Sequence, residues 1–438
     1  MTRLLTIMGS GETAPTMVKA HRTVVERLGG DNVHGVLLDT PFGFQMNADD
    51  LSARAVAYFR ESVGAELEVA GLRSAADLQG TSGDALLAGL AAASFVFAGP
   101  GSPTYALRQW KGTLVPSLLA EKLSHGGAVT FASAAALTLG LATVPVYEIY
   151  KVGEEPRWEE GLDLLSAFGL RVALIPHFDN AEGGTHDTRF CYLGEQRLAF
   201  LEQSLPEDAF VLGVDEHTAL FLDLETGVAS VQGRGVVTIR AAGRVQQIGA
   251  GEELPMARLS AIAAELARST NGGRGGAEPQ PVSASDGDRA ESALAATPDT
   301  RSPLLEAVRA QEERFREARR AGDAEGMADA VLSLEEELWS WRADTLQSDE
   351  NDRARAALRA MVVELGHVAR QGTRHPAEIV GPYVELLLAQ RELARRDRRF
   401  DEADAIRDQL VHLGVEVHDA PEGTTWELHA ARSSEGVV

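Results

Sequence analysis

Six short runs of β-branched and apolar residues recur through the first 250 positions: LLTIM at 4–8, HGVLLD at 34–39, SFVFAG at 94–99, AVTFAS at 128–133, VALIPHF at 172–178 and VLGVDE at 211–216. Each is too short for a helix and apolar at nearly every position. Such runs are strands covered on both faces, which requires a mostly parallel sheet flanked by helices. The stretches between them at 49–63, 84–93, 104–124 and 158–168 carry apolar residues at three- and four-residue spacing and are expected as crossover helices. After 216 the runs TALFLD, GVASVQG, GVVTIR and GRVQQIG follow one another across tight turns, which predicts an antiparallel extension. An α/β domain over 1–268 is therefore expected.

Residues 269–303 are rich in Gly, Pro, Ser, Ala and Asp without apolar periodicity, the composition of a flexible linker. Beyond it, 304–438 reads as an all-helical domain with helices near 304–321, 323–346, 351–371, 375–397 and 400–413, closed by a small β-hairpin. With 438 residues two or three domains are expected. The formal net charge of −24 excludes a non-specific nucleic-acid coat. No apolar run approaches a membrane span, the N-terminal apolar stretch is too short for a signal peptide, and the cytoplasm is the expected location. One cysteine, Cys191, permits no intrachain disulfide and no multi-cysteine zinc site.

In open α/β sheets, ligands bind at the carboxyl ends of the strands. Ser133 follows AVTFA at a helix start, where a strained turn exposes its hydroxyl and the Ala134 amide faces a developing oxyanion. The small-residue turn Gly99-Pro100-Gly101-Ser102 lets backbone approach a substrate carbonyl. His177 follows another strand, and Glu148 lies between the two. Nucleophile, tautomer-fixing acid and base thus appear in chain order as Ser133, Glu148 and His177. Asp179, Glu182, His186 and Asp187 match no tight metal spacing, so neither a metal nor an organic cofactor is expected. Arg189 and Arg197 are candidates for a substrate carboxylate. Gly9-Ser10-Gly11-Glu12-Thr13-Ala14 fits a dinucleotide-binding turn, but Glu12 and Pro15 would sit against the pyrophosphate. A turn needing close backbone passage accounts for the glycines better.

The landmarks SFVFAGPGSPTYALRQWKGT, GGAVTFASAAALTLG, PHFDN and VLGVDEHTALFLD, over roughly 1–250, resemble those of the cyanophycinase and peptidase E family, serine peptidases of the class I glutamine amidotransferase-like fold. The resemblance implies Ser133 as nucleophile, His177 as base, Glu148 as third member, and Gly101 with Ala134 at the oxyanion site. It places Asp215 and Glu216 near the active-site floor and implies a small peptide or amide substrate. Phe131 and Ala135 stand where the family carries glycine, and Pro100 lacks an amide hydrogen.

Within 383–428, Arg391, Ala394, Arg395, Phe400, Ala403, Asp404, Ile406, Arg407, Asp408, Leu410, Asp419, Pro421, Gly423, Thr424 and Trp426 follow a pattern that resembles the C-terminal domain of cysteinyl-tRNA synthetases. The synthetase signatures H-I-G-H and K-M-S-K-S are not found, so aminoacylation is not expected. Arg391, Arg395, Arg396, Arg398 and Arg399 form a basic cluster and Trp426 a stacking surface, which makes tRNA a candidate partner. This patch works against its surroundings, since 301–438 holds 19 Arg and no Lys against 28 Asp and Glu. The competing reading is a non-catalytic tRNA-associated binding protein with a degenerate hydrolase domain. Oligomeric state is not legible.

Overall fold

The computed structural model describes residues 2–30, 33–181, 186–268, 302–344, 350–371, 376–420 and 423–428. The expected linker therefore lies outside the described residues, apart from Ser302 and Pro303, as do Glu182 and Pro421. Two compact units result, one of residues 1–305 with 337–351 and one of 306–336 with 352–438. The segment after Ser340, expected with the second domain, belongs to the first unit. There Trp341 meets His217 edge-on at 5.6 Å and the Ala343 carbonyl accepts the Thr13 hydroxyl at 2.7 Å.

The first unit contains two sheets. Strands β1 (Arg3–Met8), β2 (Gly35–Leu37), β3 (Leu67–Val69), β4 (Phe95–Ala98) and β5 (Gly127–Ala132) are parallel. A second sheet holds β6 (Ala142–Thr143), β7 (Glu159–Glu160), β8 (Val172–Ile175) and β9 (Phe210–Val214). The chain then crosses back through β10 (Thr218–Asp223) and β11 (Val228–Gly233). It returns to the second sheet in β12 (Val236–Ala241) and β13 (Arg244–Gly249), and β14 (Glu253–Pro255) closes the first. The orders are β14-β11-β10-β1-β5-β4-β2-β3 and β13-β12-β9-β8-β6-β7. The expected antiparallel extension exists but is divided between the sheets. Every strand pair involving β10 to β14 is antiparallel.

The division follows from the two-residue period of the strands. In β1, Leu5 and Ile7 enter a core shared by both sheets, while Leu4 and Met8 face the opposite side with Phe95 and Phe97. The shared core also takes Val129 and Phe131 of β5, Leu174 of β8 and Leu212 of β9. The other face of the second sheet, with Ala173, Ile175 and Val211, is covered separately. Helices α1 (Val18–Arg27), α2 (Ala48–Tyr58), α3 (Gly80–Ala92), α4 (Pro103–Trp110), α5 (Val115–His125), α6 (Ser133–Leu137), α7 (Gly194–Glu202) and α8 (Met256–Arg268) complete the unit.

Two helical expectations need correction. The stretch 104–124 is two helices, broken where Gly112 adopts φ 75°. The stretch 158–168 is no crossover helix but β7 and a short 3-10 turn, Ser166–Phe168, because Gly161 passes against the Gly140 carbonyl. A Cβ there would lie 1.9 Å from that oxygen, and Leu164 and Leu165 turn inward to the shared core.

The second unit draws on α9 (Pro303–Ala321), α10 (Ala324–Ser340), α11 (Glu350–Gln371), α12 (Pro376–Arg396) and α13 (Phe400–His412), then the hairpin β15 (Val415–Ala420) and β16 (Gly423–Leu428). Val384, Leu410, Val415 and Val417 form a small core against which Leu388, Ile406 and Trp426 pack. Phe400, which opens α13, is exposed.

Candidate active site

Three chain segments meet at the seam between the sheets. Ser133 follows β5 and opens α6 with φ 49°, a left-handed conformation that non-glycine residues adopt only under strain and that is enriched at functional sites. Phe131 does not obstruct this turn. Two residues before the serine, its ring points into the shared core and lies 5.7 Å from Trp110, fully buried. The glycine expected there is dispensable because the bulk is carried away from the elbow.

His177 follows β8, also left-handed at φ 47°. Its Nε2 lies 2.9 Å from Ser133 Oγ and its Nδ1 lies 2.7 Å from Glu216 Oε1. Serine hydroxyl, imidazole and carboxylate thus stand in one hydrogen-bonded line. Glu216 sits in the turn from β9 to β10. Asn180 Nδ2 donates to the same oxygen at 3.2 Å, and the Glu216 amide donates to Asp179 at 2.7 Å. Burial opposes ionisation of Glu216, but the imidazole bond and charge outweigh it, and its carboxyl is held below the usual range.

Glu148, expected as the third member, is placed elsewhere. It opens a single π-helical turn, Glu148–Val152, and accepts the Thr104 hydroxyl at 2.7 Å. Chain order suggested it, but the turn joining the two sheets carries Glu216 to the imidazole from 39 residues downstream of His177. Asp215, expected beside Glu216 near the active-site floor, bonds to backbone. Its Oδ2 accepts the Val236 amide at 2.9 Å, and burial beside Asp179 and Glu216 lifts its carboxyl to about 7. Asp179 is pushed to about 6 by burial and the neighbouring Glu216.

The expected oxyanion groups border the same cleft, of about 290 Å³, which Ser133 and His177 also line. Ala134 lies in the first turn of α6, where an amide has no carbonyl four residues back to bond. Gly101, at φ 139°, is obligatory: a Cβ there would lie 2.0 Å from the Pro41 carbonyl oxygen. The rest of the wall was not foreseen from sequence. Tyr147, Tyr150 and Tyr192 contribute aromatic surface and Lys151 a cation, held 5.1 Å from the Tyr150 ring centroid. Phe190, Cys191 and Tyr192 are three consecutive left-handed residues, tied back by Cys191 N to the His177 carbonyl at 3.1 Å. No turn signature announces such a segment. Burial pushes the Cys191 thiol up to about 12, so it is no thiolate nucleophile.

The glycine turn after β1 is spent on packing. The Gly9 amide donates to Thr218 and its carbonyl accepts from His177, stitching the seam, and a Cβ on Gly9 would lie 1.9 Å from the Asp215 oxygen. The acidic and basic residues after His177 disperse into separate roles. Asp187 pairs with Arg189 at 2.8 Å and caps the Glu195 amide, His186 meets the Tyr150 hydroxyl at 3.2 Å, and Arg197 reaches the Leu193 carbonyl at 3.3 Å.

In the second unit Arg391 is removed from the RNA-contact set. It is buried at 4% exposure and forks onto Asp419 through bonds of 2.8 and 2.7 Å, locking α12 to the hairpin. Trp426 packs across from Val417 against the small core and offers only part of its surface. Arg395 pairs with Asp419 at 3.4 Å, Arg396 with Glu392 at 3.4 Å, and Arg399 with Asp397 at 3.1 Å, all exposed. Arg398 occupies the turn between α12 and α13 at φ 59°.

Comparison with known proteins gives two kinds of similarity. Two solved structures are similar to the first unit. One is a peptidase from an acI-B1 actinobacterium, with TM-score 0.47 and 22% identity over 58% of this chain and 97% of that one. The other is a putative peptidase E protein from Listeria monocytogenes EGD-e, with TM-score 0.35 and 14% identity over 57% and 99%. At the other end, cysteine–tRNA ligases align. That of Halorhodospira halophila is 38% identical over 108 residues, 25% of this chain and 19% of the ligase. That of Pelobacter propionicus is 31% identical over 149 residues, 30% of each. The chain thus spans less than a third of the length of the curated ligases it matches. The family model that matches is the cysteinyl-tRNA ligase anticodon binding domain, and the residues it takes in, 380–426, run from within α12 through α13 into β16.

Proposed function

We propose that the first unit is a serine hydrolase acting on a small peptide or amide through an acyl-enzyme. The observation that carries this reading is the continuous line from Ser133 Oγ through His177 to Glu216, with bonds of 2.9 and 2.7 Å. His177 Nε2 takes the hydroxyl proton as Ser133 attacks the carbonyl carbon, and Glu216 fixes the tautomer with Nδ1 protonated and stabilises the imidazolium. The Ala134 and Gly101 amides border the place where negative charge develops on oxygen. The imidazolium then gives its proton to the leaving amine, and a water deprotonated by the same nitrogen releases the acid. Covalent labelling by a fluorophosphonate tests the reading. Wild type should be labelled and Ser133→Ala should not, whereas absence of labelling in folded wild type would refute it.

For the second unit the family match over 380–426 favours contact with tRNA. We propose that Arg395, Arg396, Arg398 and Arg399, clustered around the α12–α13 turn, meet phosphates of a tRNA stem. Arg395, Arg396 and Arg399 already have acidic partners, so the contact must displace carboxylates and should be weak and steeply salt-dependent. A gel shift of the full chain with tRNA across a salt series checks this. An affinity no greater than that of an acidic control protein, or one unchanged in a variant with all four arginines replaced by Gln, removes it.

A further inference from the structure

Glu12 is the one acidic side chain among the described residues that is both buried and in the wall of the reaction cleft. It is 3% exposed, borders the cleft with Ser133, His177, Gly101 and Ala134, and its Oε1 has no hydrogen-bond partner among the described residues. It lies beneath the turn after β4, so close that a Cβ on Gly99 would be 3.0 Å from Oε1. That is the turn in which Pro100 supplies no N–H. The backbone around Glu12 is fixed: its carbonyl accepts His21 Nε2 at 2.7 Å, and the Ala14 amide closes onto Gly11 at 2.8 Å.

A buried carboxyl oxygen without a partner costs on the order of 1–3 kcal/mol. The cost is recoverable when a ligand fills the cleft. Building on the serine-hydrolase reading, we infer that Glu12 is a further substrate-contacting residue, an uncharged acid whose O–H donates a hydrogen bond to the carbonyl oxygen of the bound acyl group. It would thereby supply, from the loop after β1, a donor that Pro100 cannot.

The surroundings favour the uncharged form. Burial raises the Glu12 carboxyl above its ordinary range, against smaller opposing effects of a backbone hydrogen bond and of His177. His21, beside its backbone, is lowered to about 4 by burial and is neutral. The Tyr58 hydroxyl, bonded to the Ala14 carbonyl at 3.0 Å, is held protonated by burial. Glu216 lies beyond His177, and Lys151, engaged with Tyr150, is the cation on the cleft wall. The substrate class this fits presents a neutral carbonyl, an amide or an ester, to this wall. A cationic group there would demand the ionised carboxylate instead.

The test compares fluorophosphonate labelling rates of full-length wild type, Glu12→Gln and Glu12→Leu from mildly acidic to alkaline pH, since the phosphonyl oxygen occupies the oxyanion position. An amide donates as the acid does. Glu12→Gln should stay within about fivefold of wild type, while Glu12→Leu, without a donor, should label on the order of 100-fold more slowly. Wild type should also lose rate on the alkaline side as Glu12 ionises, and Glu12→Gln should not. This second readout stands even if the leucine variant fails to fold. Glu12→Leu at the wild-type rate overturns the inference, as does Glu12→Gln as slow as Glu12→Leu, which would assign a carboxylate facing a cation. Wild type that fails to label at all refutes the serine-hydrolase reading itself.

Discussion

Replacing Glu216 by glutamine is the most discriminating perturbation of the site, because sequence order and spatial arrangement disagree on which carboxylate serves His177. The carboxylate accepts from Nδ1 at 2.7 Å, the length of a charge-assisted bond. Under the proposed mechanism the imidazole becomes cationic as Ser133 gives up its proton, with its charge centre about 4 Å from that of the carboxylate. At the effective dielectric of a partly buried pair this attraction is about 4 kcal/mol, or roughly a thousandfold in rate. The substituted amide can also turn its NH2 to Nδ1, moving the imidazole proton to Nε2, where it blocks the base, and losses of about 10⁴ follow from a wrong tautomer. Labelling of Glu216→Gln should therefore fall by about 10³ to 10⁴ with the thermal unfolding midpoint little changed. Glu148→Gln, altering only the bond from Thr104, should stay within about tenfold of wild type. Stopped-flow or gel-based kinetics with a fluorescent fluorophosphonate read both. A Glu216→Gln variant within tenfold of wild type, or a Glu148→Gln variant equally damaged, would refute the assignment of the third member.

Phe131→Ala should not free the elbow. It should leave a cavity against Trp110 and cost about 3–5 kcal/mol in chemical denaturation. Ser133→Gly should abolish labelling yet raise stability by about 1 kcal/mol, since glycine adopts φ 49° without strain; a loss of stability would show that the turn is unstrained. Asp215 is raised to about 7 by burial beside Asp179 and Glu216, so the folded protein binds more protons than the unfolded chain between about pH 4 and 7, and stability falls as pH rises through that window. Asp215→Asn, whose side-chain oxygen still accepts the Val236 amide, should have the higher melting temperature at about pH 8, with the advantage vanishing near pH 4; a pH-independent difference would contradict this. Arg391→Ala should destabilise the second unit by about 1–3 kcal/mol, because a buried fork is lost while Asp419 remains partly solvated. Urea denaturation followed by Trp426 fluorescence measures it.

What was legible in the sequence is what depends on local period. Strands β1, β4, β5, β8 and β9 and the helices α9 to α13 stand close to where apolar spacing puts them, and the elbow at Ser133 follows from a strand running directly into a helix. The helix break at Gly112 is a local event, but the misread site residues have partners distant in the chain. Glu148 was favoured because it lies between Ser133 and His177. The carboxylate that reaches the imidazole instead follows the buried run FVLGV, where a charged pair at a strand end was a usable signal. Arg391 looked like one more exposed arginine of a basic cluster because its partner Asp419 is 28 residues away, across the hairpin. Glu12 was hidden inside a glycine turn whose spacing imitates a phosphate loop. The close backbone passage expected of those glycines is met at Gly9, where a Cβ would lie 1.9 Å from the Asp215 carbonyl oxygen.

The seam itself carries a consequence for how such a protein would fail. Ser133 is attached to one sheet, His177 to the other, and Glu216 to the strand connection that passes between them, so the 2.9 Å separation of hydroxyl and imidazole measures the alignment of two ladders stitched together at Gly9. Slippage of a few tenths of an ångström along their common apolar contact would leave both ladders whole and every strand in place, yet uncouple the proton relay. Catalytic competence would then act as a vernier for the interlayer fit, lost on warming or in mild denaturant before circular dichroism registers any change.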